Sequence, residues 1–513
     1  MSNWDTTLAW TYHDVTKHSY QSLRSSAHLL DWMNQPSPFK VYSGLEPIPL
    51  PREIPGSSMA GLSAISATGT QVEGEVMPGL ATLTTLLHYS AGITRKRDYG
   101  GGEIYFRAAA CTGALYHIDL YLVCGELDGL PAGVYHYGPH DSALRKLRSG
   151  DYRSVLVDAS AEEEGVRNAP AIVVFTSTFW RNSWKYQGRA YRHTFWDGGT
   201  IMANFQSVAA AQQMPVRLVM SFTDGPVNRL LDLDTEKEVA IAMVPVGRAA
   251  GISASQGLEV PALDLSTDPL SRSEVDYPII RAAHTASLLE SPEEVSRCRG
   301  SISVDSMGEP TGTLFPLEPL PEADIPQEPM EAVIQRRGST RKFAREPITL
   351  PQLSALLQCS CTGIQADFLE PHGAHLCDLY LTVHAVDGLP PGAYVYHRGR
   401  QALEQLEEGD FRARSGNLGL DQDLPADASV NIFFLTNLDP VLERMGNRGY
   451  RAAQMEASIT AGKVYLAAYA QRMGASGLTF YDDNVTDFFS PHAAGKSAMF
   501  LVAIGKRARR AAQ

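Results

Sequence analysis

Apolar residues recur along the chain in two rhythms, helical and strand-like, and the whole series of elements they predict occurs twice in the same order. Helical spacing runs over Leu80 to His88 and again over Leu350 to Gln358. Each stretch leads through a glycine-bearing loop into a short β-rich run, Leu120 to Val123 in the first case and Leu379 to Val383 in the second, which predicts a strand. An Asp-Gly-Leu-Pro turn then joins a second strand ending at Tyr137 or Tyr396. A core strand follows (Ile172 to Thr176; Val430 to Thr436), then a long helix rich in small residues (Thr200 to Gln213; Glu456 to Met473), then a closing strand (Val239 to Val246; Ser497 to Ile504). Mixed elements of this kind predict an α+β sandwich, one sheet covered by helices. Ala209-Ala210-Ala211 and the run Ala457 to Gly462 predict close helix packing of one half against the other.

The two series are copies. Asp128-Gly129-Leu130-Pro131-Ala132-Gly133-Val134-Tyr135-His136-Tyr137 returns as Asp387-Gly388-Leu389-Pro390-Pro391-Gly392-Ala393-Tyr394-Val395-Tyr396, an offset of 387 − 128 = 259 residues. In the same register Asp119-Leu120-Tyr121 meets Asp378-Leu379-Tyr380, Gly150-Asp151-Tyr152-Arg153 meets Gly409-Asp410-Phe411-Arg412, and Arg189…Tyr191-Arg192 meets Arg448…Tyr450-Arg451. Chance turn segments would not keep one register, and a domain-sized period means duplication rather than a solenoid. Residues 61–255 and 331–513 are read as the two domains. Residues 256–330, with Pro310, Pro316, Pro319, Pro321, Pro326 and Pro329, are read as an extended connector. Residues 1–60 match nothing in the second half and are read as an N-terminal extension.

Composition narrows the function classes. A length of 513 residues suits two or more domains, and 44% hydrophobic with 20% charged residues is ordinary for a soluble protein. No apolar run approaches the roughly 18 residues of a membrane span, and Met1-Ser2-Asn3-Trp4-Asp5 lacks the basic start of a signal peptide. A cytoplasmic location is therefore expected, with no membrane partner. A net charge of −13 argues against nucleic acid as a partner. Six cysteines without a CxxC pair fit reduced thiols better than a disulfide scaffold.

Against this acidic background one cationic cluster stands out. Arg336, Arg337, Arg341, Lys342 and Arg345 fall within ten residues, around Gly338 and Ser339. Guanidinium forks bind phosphate oxygens in pairs, and a serine hydroxyl with backbone N–H groups completes an oxyanion cradle. Taken alone, the cluster fits a solvated basic loop as well.

Arg337-x-Ser339-x-Arg341-x-Phe343, followed by Pro347-Ile348 and Leu353…Leu356-Leu357, resembles the opening motif of the nitroreductase superfamily, which grips the FMN phosphate and ribityl chain. Gly474-Ala475-Ser476-Gly477-Leu478-Thr479-Phe480 and Gly505-Lys506-Arg507 resemble that family's flavin-facing loop and last strand. In the first half, Arg107-Ala108-Ala109-Ala110-Cys111-Thr112-Gly113-Ala114 and Lys185-Tyr186-Gln187-Gly188-Arg189 are similar to the SagB/ThcOx-type azoline dehydrogenases. Tyr12-His13-x-x-Thr16-Lys17-His18 and Leu30-Asp31-Trp32 are similar to the long, tandem-domain members of that group.

The resemblance implies a duplicated three-layer nitroreductase-like sandwich forming an intrachain pseudo-dimer, with further homo-oligomerisation open. It implies FMN as cofactor, held by Arg337, Gly338, Ser339, Arg341, Leu478, Thr479, Lys506 and Arg507 of the second half and Arg107, Cys111, Thr112 and Gly113 of the first. It implies oxidation of azoline-type or other C–N/C–S heterocycles in a small-molecule or modified-peptide substrate: hydride leaves a substrate carbon for the flavin, and a base removes the second proton. Lys185 and Tyr186 match the pair assigned that proton transfer. Lysine needs burial or a nearby cation to act as a base, and Arg189 or Arg192 is expected to supply the cation.

The copies have not kept the same residues. Leu50 to Pro78, ahead of the first-half helix, offers only Arg52 in place of the cationic motif. The Arg107 loop becomes Phe368-Leu369-Glu370-Pro371-His372-Gly373-Ala374-His375, and Lys185-Tyr186 becomes Arg444-Met445. One FMN per chain is expected, with a vestigial second site. Two other readings stay open: an NAD(P)H-dependent nitro or quinone reductase, and a flavin-binding, non-catalytic partner subunit. Cys359, Cys361, His372, His375 and Cys377 are ligand types zinc accepts, but their spacing fits no strong zinc template, and no metal is expected.

Overall fold

The computed structural model describes residues 2–69, 74–100, 102–252, 258–263, 265–300, 307–370 and 373–508, and in it two antiparallel sheets repeat one another strand for strand. The first runs Pro47–Pro49, Ala143–Ser149, Gly133–Gly138, Ile118–Cys124, Ala171–Thr178, Glu238–Val246. The second runs Thr313–Pro316, Ala402–Glu408, Gly392–His397, Asp378–Val383, Val430–Thr436, Ser497–Gly505, with Gly474–Leu478 added at the far edge. Even the irregularities are duplicated. The register shift between Val134 and Tyr135 recurs between Ala393 and Tyr394, and the one between Phe175 and Thr176 recurs between Phe434 and Leu435. The Asp-Gly turns place Gly129 at φ +77° and Gly388 at φ +91°, a left-handed conformation that costs glycine nothing. The Tyr135 and Tyr394 hydroxyls then donate to the carbonyls of Pro131 and Pro390, each at 2.7 Å.

The central strands are buried on both faces, which is why they read as unbroken apolar runs. In Ile118–Cys124, Leu120 and Leu122 join the core between the two sheets. Tyr121 and Val123 join an outer core with Val155, Leu156, Val227 and Leu230 of the covering helices. Between the sheets the long helices Ala190–Ala211 and Asn447–Ala470 cross. A Cβ on Gly199 would lie 2.5 Å from Ser458 Cβ, and one on Gly462 2.5 Å from Ala203 Cβ. Ser458 is the counterpart of Gly199 at the 259-residue offset, so the crossing pairs a position with its own copy, as a twofold axis requires.

Both long helices begin earlier than the apolar spacing predicts, because their first turns are polar and yet buried. Arg189 and Arg192 reach Asp482 of the other half at 3.0 and 2.6 Å. Their counterparts Arg448 and Arg451 reach Asp224 at 2.9 and 3.3 Å. Burial alone would raise the Asp482 carboxyl, but Arg189 and Arg192 hold it down at about 2.

The first residues of the chain and the segment between the halves are a further pair of copies, which corrects the reading that residues 1–60 have no counterpart. Helix Thr7–Val15 matches helix Pro278–Ala286. Arg192 donates to His13 O at 2.5 Å and Thr16 Oγ1 at 3.0 Å, and Arg451 donates to His284 O at 2.9 Å and Ser287 Oγ at 2.7 Å. The His18 N–H donates to Asp482 at 2.8 Å, as the Leu289 N–H does to Asp224 at 3.0 Å. The offset here is 284 − 13 = 271 residues. The first half alone, among the described residues, inserts a two-stranded hairpin, Ile93–Tyr99 with Gly102–Arg107, where a loop was expected. Pro47–Pro49 and Thr313–Pro316 likewise form equivalent edge strands. No helix among the described residues is long and apolar enough to cross a membrane.

Candidate active site

A cavity of about 1230 Å³ opens between the halves, and both line it. Helix Met330–Arg336 ends at the cationic motif, so Gly338 to Lys342 leave it as an open loop. The Thr340 N–H donates to Ala475 O at 2.9 Å, fastening that loop to strand Gly474–Leu478. This brings Gly338, Ser339, Arg341 and Lys342 to the cavity beside Leu478, Thr479 and Arg507. The Thr479 hydroxyl is buried with no hydrogen-bond partner.

Two other arginines of the expected set also fasten the loops that line the cavity. Arg337 is buried and donates to Ala108 O and Arg107 O, each at 2.8 Å, clamping the first-half loop. Arg107 donates to Pro38 O at 2.5 Å and sits over the rings of Phe39 and Tyr116. These bonds give both guanidiniums a loop-holding role, and both also line the cavity. Lys506 lies outside the cavity lining, 3.9 Å from Glu346.

The first-half loop is organised by a residue that sequence reasoning missed. Asp197, buried on the long helix, accepts from Thr112 N at 2.9 Å, Thr112 Oγ1 at 2.8 Å and Cys111 Sγ at 2.9 Å, and lies 3.0 Å from His117 Nε2. Burial and the Asp197 carboxylate push the Cys111 thiol well above its ordinary range, so Cys111 is a donor thiol rather than a nucleophile. Gly113 follows at φ +64°, and a Cβ there would fall 2.9 Å from the Tyr186 hydroxyl. That close approach requires glycine.

Lys185 and Tyr186 end helix Phe179–Tyr186 and line the same cavity. Burial, and then the Arg341 guanidinium, lower the pKa of Lys185; burial, and then Asp197, raise that of Tyr186. The cation acting on Lys185 is thus Arg341 from the other half. Arg189 and Arg192, expected in that role, are bound to Asp482 instead. His18 also reaches the cavity, and burial followed by Arg189 lowers it to about 3, so it is neutral there.

At the equivalent interface, among the described residues, the chain's own groups bond one another. The Leu218 N–H donates to Gln365 O at 2.8 Å, the Asp367 N–H donates to Leu218 O at 2.9 Å, and the Asp367 carboxylate accepts from Met220 N at 3.0 Å and Ser221 N at 2.8 Å. Those N–H groups are the counterparts of Thr479 and Phe480. Lys463 Nζ donates to Thr68 Oγ1 and to Gly363 O, each at 2.7 Å. Arg444, in the place of Lys185, donates to the carbonyls of Arg297 and Arg299, and Glu370 lies 3.3 Å from Arg217. His372 lies outside the described residues, among which no group of three or more His, Cys, Asp or Glu could hold a metal ion.

The nitroreductase family model matches residues 89–248 and 334–506, one segment in each half. A solved structure from Anabaena variabilis, described as a "putative nitroreductase", superposes with a TM-score of 0.78 at 25% identity, covering 98% of this chain and 99% of that one. "Putative nitroreductase MJ1384" of Methanocaldococcus jannaschii is 22% identical over 169 residues, 33% of this chain and 80% of its own. The E. coli microcin synthetase McbBCD complex also matches, at 19% identity over 48% of this chain and 94% of that one, but its TM-score of 0.30 is too low to argue from. The family model matches more than half of the chain, in two segments that coincide with two copies of one fold, and this chain belongs to the nitroreductase family.

Proposed function

We propose that this chain is an FMN-dependent oxidoreductase with one flavin site shared by its halves, dehydrogenating azoline-type rings in a small-molecule or modified-peptide substrate. The observation that carries this reading is the asymmetry of the two interfaces. Ser339 and Arg341 face Lys185, Tyr186 and Gly113 across one open cavity, whereas Asp367 and Lys463 fill its twin. The residues present fit the cofactor: a cationic loop suits its phosphate, the unpartnered Thr479 hydroxyl offers a hydrogen bond, and Gly113 permits close approach.

When bound, FMN supplies a two-electron hydride acceptor. The chain's own residues hold the substrate and move the proton. Oxidising a ring carbon next to nitrogen or sulfur leaves a cation that must lose a proton. Lys185, its ammonium disfavoured by burial and by Arg341, is the base best placed to take it. Tyr186 stays a neutral phenol against Gly113 and positions that amine. Asp197 keeps Thr112 and Gly113 in place.

The reductase reading, in which NAD(P)H feeds reduction of nitro compounds or quinones, draws on what the similar proteins are called. Flavin-loaded protein is expected to oxidise a thiazoline peptide and to carry about one FMN per chain. Two FMN per chain would refute the single-site reading. Turnover of NADPH with quinone, but not of the peptide, would favour the reductase.

A further inference from the structure

Apart from Arg107 and Arg337, which hold backbone carbonyls, and Lys185, whose neutral amine is the proposed base, five cations line the cavity with no acidic partner among the described residues: Arg95 and Arg97 from the first-half hairpin, and Arg341, Lys342 and Arg507 from the second half. Their neighbours Lys96 and Lys506 do have partners, Glu103 and Glu346. Asp197, the one carboxylate in the described lining, is occupied by its own donors. A bound FMN phosphate brings about two negative charges, which leaves roughly three cations facing one opening in a protein of net charge −13. Convergent like charge of this kind calls for a second anion.

The hairpin suggests its form. It exists only in the half that contributes Lys185, and it is a sheet of two strands, so its outer edges carry no further strand among the described residues. Arg95 and Arg97 sit two residues apart on one strand, both held over the Phe106 ring. Alternate residues of a strand put their side chains on one face, and the shared ring shows that these two do; alternate acids of an extended peptide present their carboxylates with the same backbone repeat.

We propose that this hairpin, with Lys342 opposite, grips an acidic peptide segment flanking the ring to be oxidised. The proposal rests on the reading of the site as a peptide-ring dehydrogenase and names the substrate it prefers.

The test compares two thiazoline peptides differing only in Glu or Gln at two alternate positions beside the ring, using the full flavin-loaded chain. The expected result is a KM about tenfold lower for the Glu peptide at low salt, an advantage that shrinks as salt rises and is abolished by R97E. Equal KM values, or a preference that survives R97E, overturn it. So does an R97E effect confined to KM for NADPH, which would assign the cations to a dinucleotide. If neither peptide is oxidised while NADPH bleaches the flavin, the dehydrogenase reading fails separately. Anisotropy of the labelled peptides then decides the surface: tighter binding of the Glu peptide supports it, and equal binding overturns it.

Discussion

At one interface between the halves Ser339 and Arg341 line an open cavity; at the other Lys463 is tied to Thr68 and to the Gly363 carbonyl, each at 2.7 Å. The Thr479 hydroxyl at the open interface lacks a partner, whereas the N–H of its counterpart Met220 already has Asp367. Both interfaces are nonetheless held by the same device, two arginines of one long helix on one aspartate of the other half. Duplication thus preserved what both interfaces need mechanically and let ligand-facing residues diverge at one. The physical asymmetry is clear. Removing one partner of a buried ion pair leaves an uncompensated charge, whereas a cavity that no longer holds a ligand can be filled by the chain's own side chains.

Breaking the chemistry of the open side should give the largest effect. Lys185→Ala or Tyr186→Phe is expected to slow substrate oxidation about 10²–10⁴-fold, with flavin content and reduction by dithionite unchanged. Arg444→Ala, at the counterpart of Lys185, should leave turnover within about twofold. Comparable losses from both positions in steady-state assays would dissolve the distinction between the sides.

Breaking the shared frame should act alike on both sides. Asp482→Asn and Asp224→Asn should each destabilise the fold by about 3–5 kcal/mol, read by denaturant titration. The Asp482 carboxyl is held at about 2 in the fold against roughly 3.9 unfolded. Its contribution is complete above that upper value and is lost as pH falls toward the lower one. Wild type should show this loss on acid titration and Asp482→Asn should not.

Flavin affinity sharpens the comparison further. Arg341→Ala and Ser339→Ala should weaken FMN binding by about 1.5–3 kcal/mol, at the upper end for the charged contact. Glu370→Ala, in the filled twin, should leave the dissociation constant unchanged in fluorescence titrations. Unaltered retention in Arg341→Ala would remove that residue from the site.

Much of this molecule is legible in its residues. Four core strands of each half and the offset of 259 follow from apolar runs and the Asp-Gly-Leu-Pro turns, which are local properties, whereas Ala143–Ser149 and Ala402–Glu408, with charged residues between their apolar ones, are not read as strands. The early turns of the long helices are not, because Arg192, His193 and Asp197 break the apolar spacing and are buried only through contacts from distant segments such as Asp482. The pairing of Thr7–Val15 with Pro278–Ala286 escapes a search at one offset, since the inserted hairpin changes the spacing on either side of it. Arg107 and Arg337 show the limit of motif reading: residue type announces a cation, but only packing shows that each also holds backbone carbonyls. Asp197 carries no motif at all. Its one sequence signal is an acid within a helix otherwise lined by small and aromatic residues.

The smallest expected effect is the most specific to the cross-half site. Lys185 lies below its ordinary pKa through burial and then through Arg341, and the proposed base is its neutral amine. The rate should therefore rise with pH through that lowered pKa. Removing Arg341 removes a cation that disfavours the ammonium, so the Lys185 pKa moves back up, the ascending limb shifts to higher pH, and the neutral-pH rate falls. Measured at saturating FMN, Arg341→Ala should show the shift, whereas Ser339→Ala, which also weakens flavin binding, should not. Added salt screens the same interaction, so the wild-type limb should move toward that of the variant as ionic strength rises. Superimposable pH profiles for wild type and Arg341→Ala would mean that Lys185 is tuned by burial alone, and that the second half contributes to cofactor binding but not to the proton transfer.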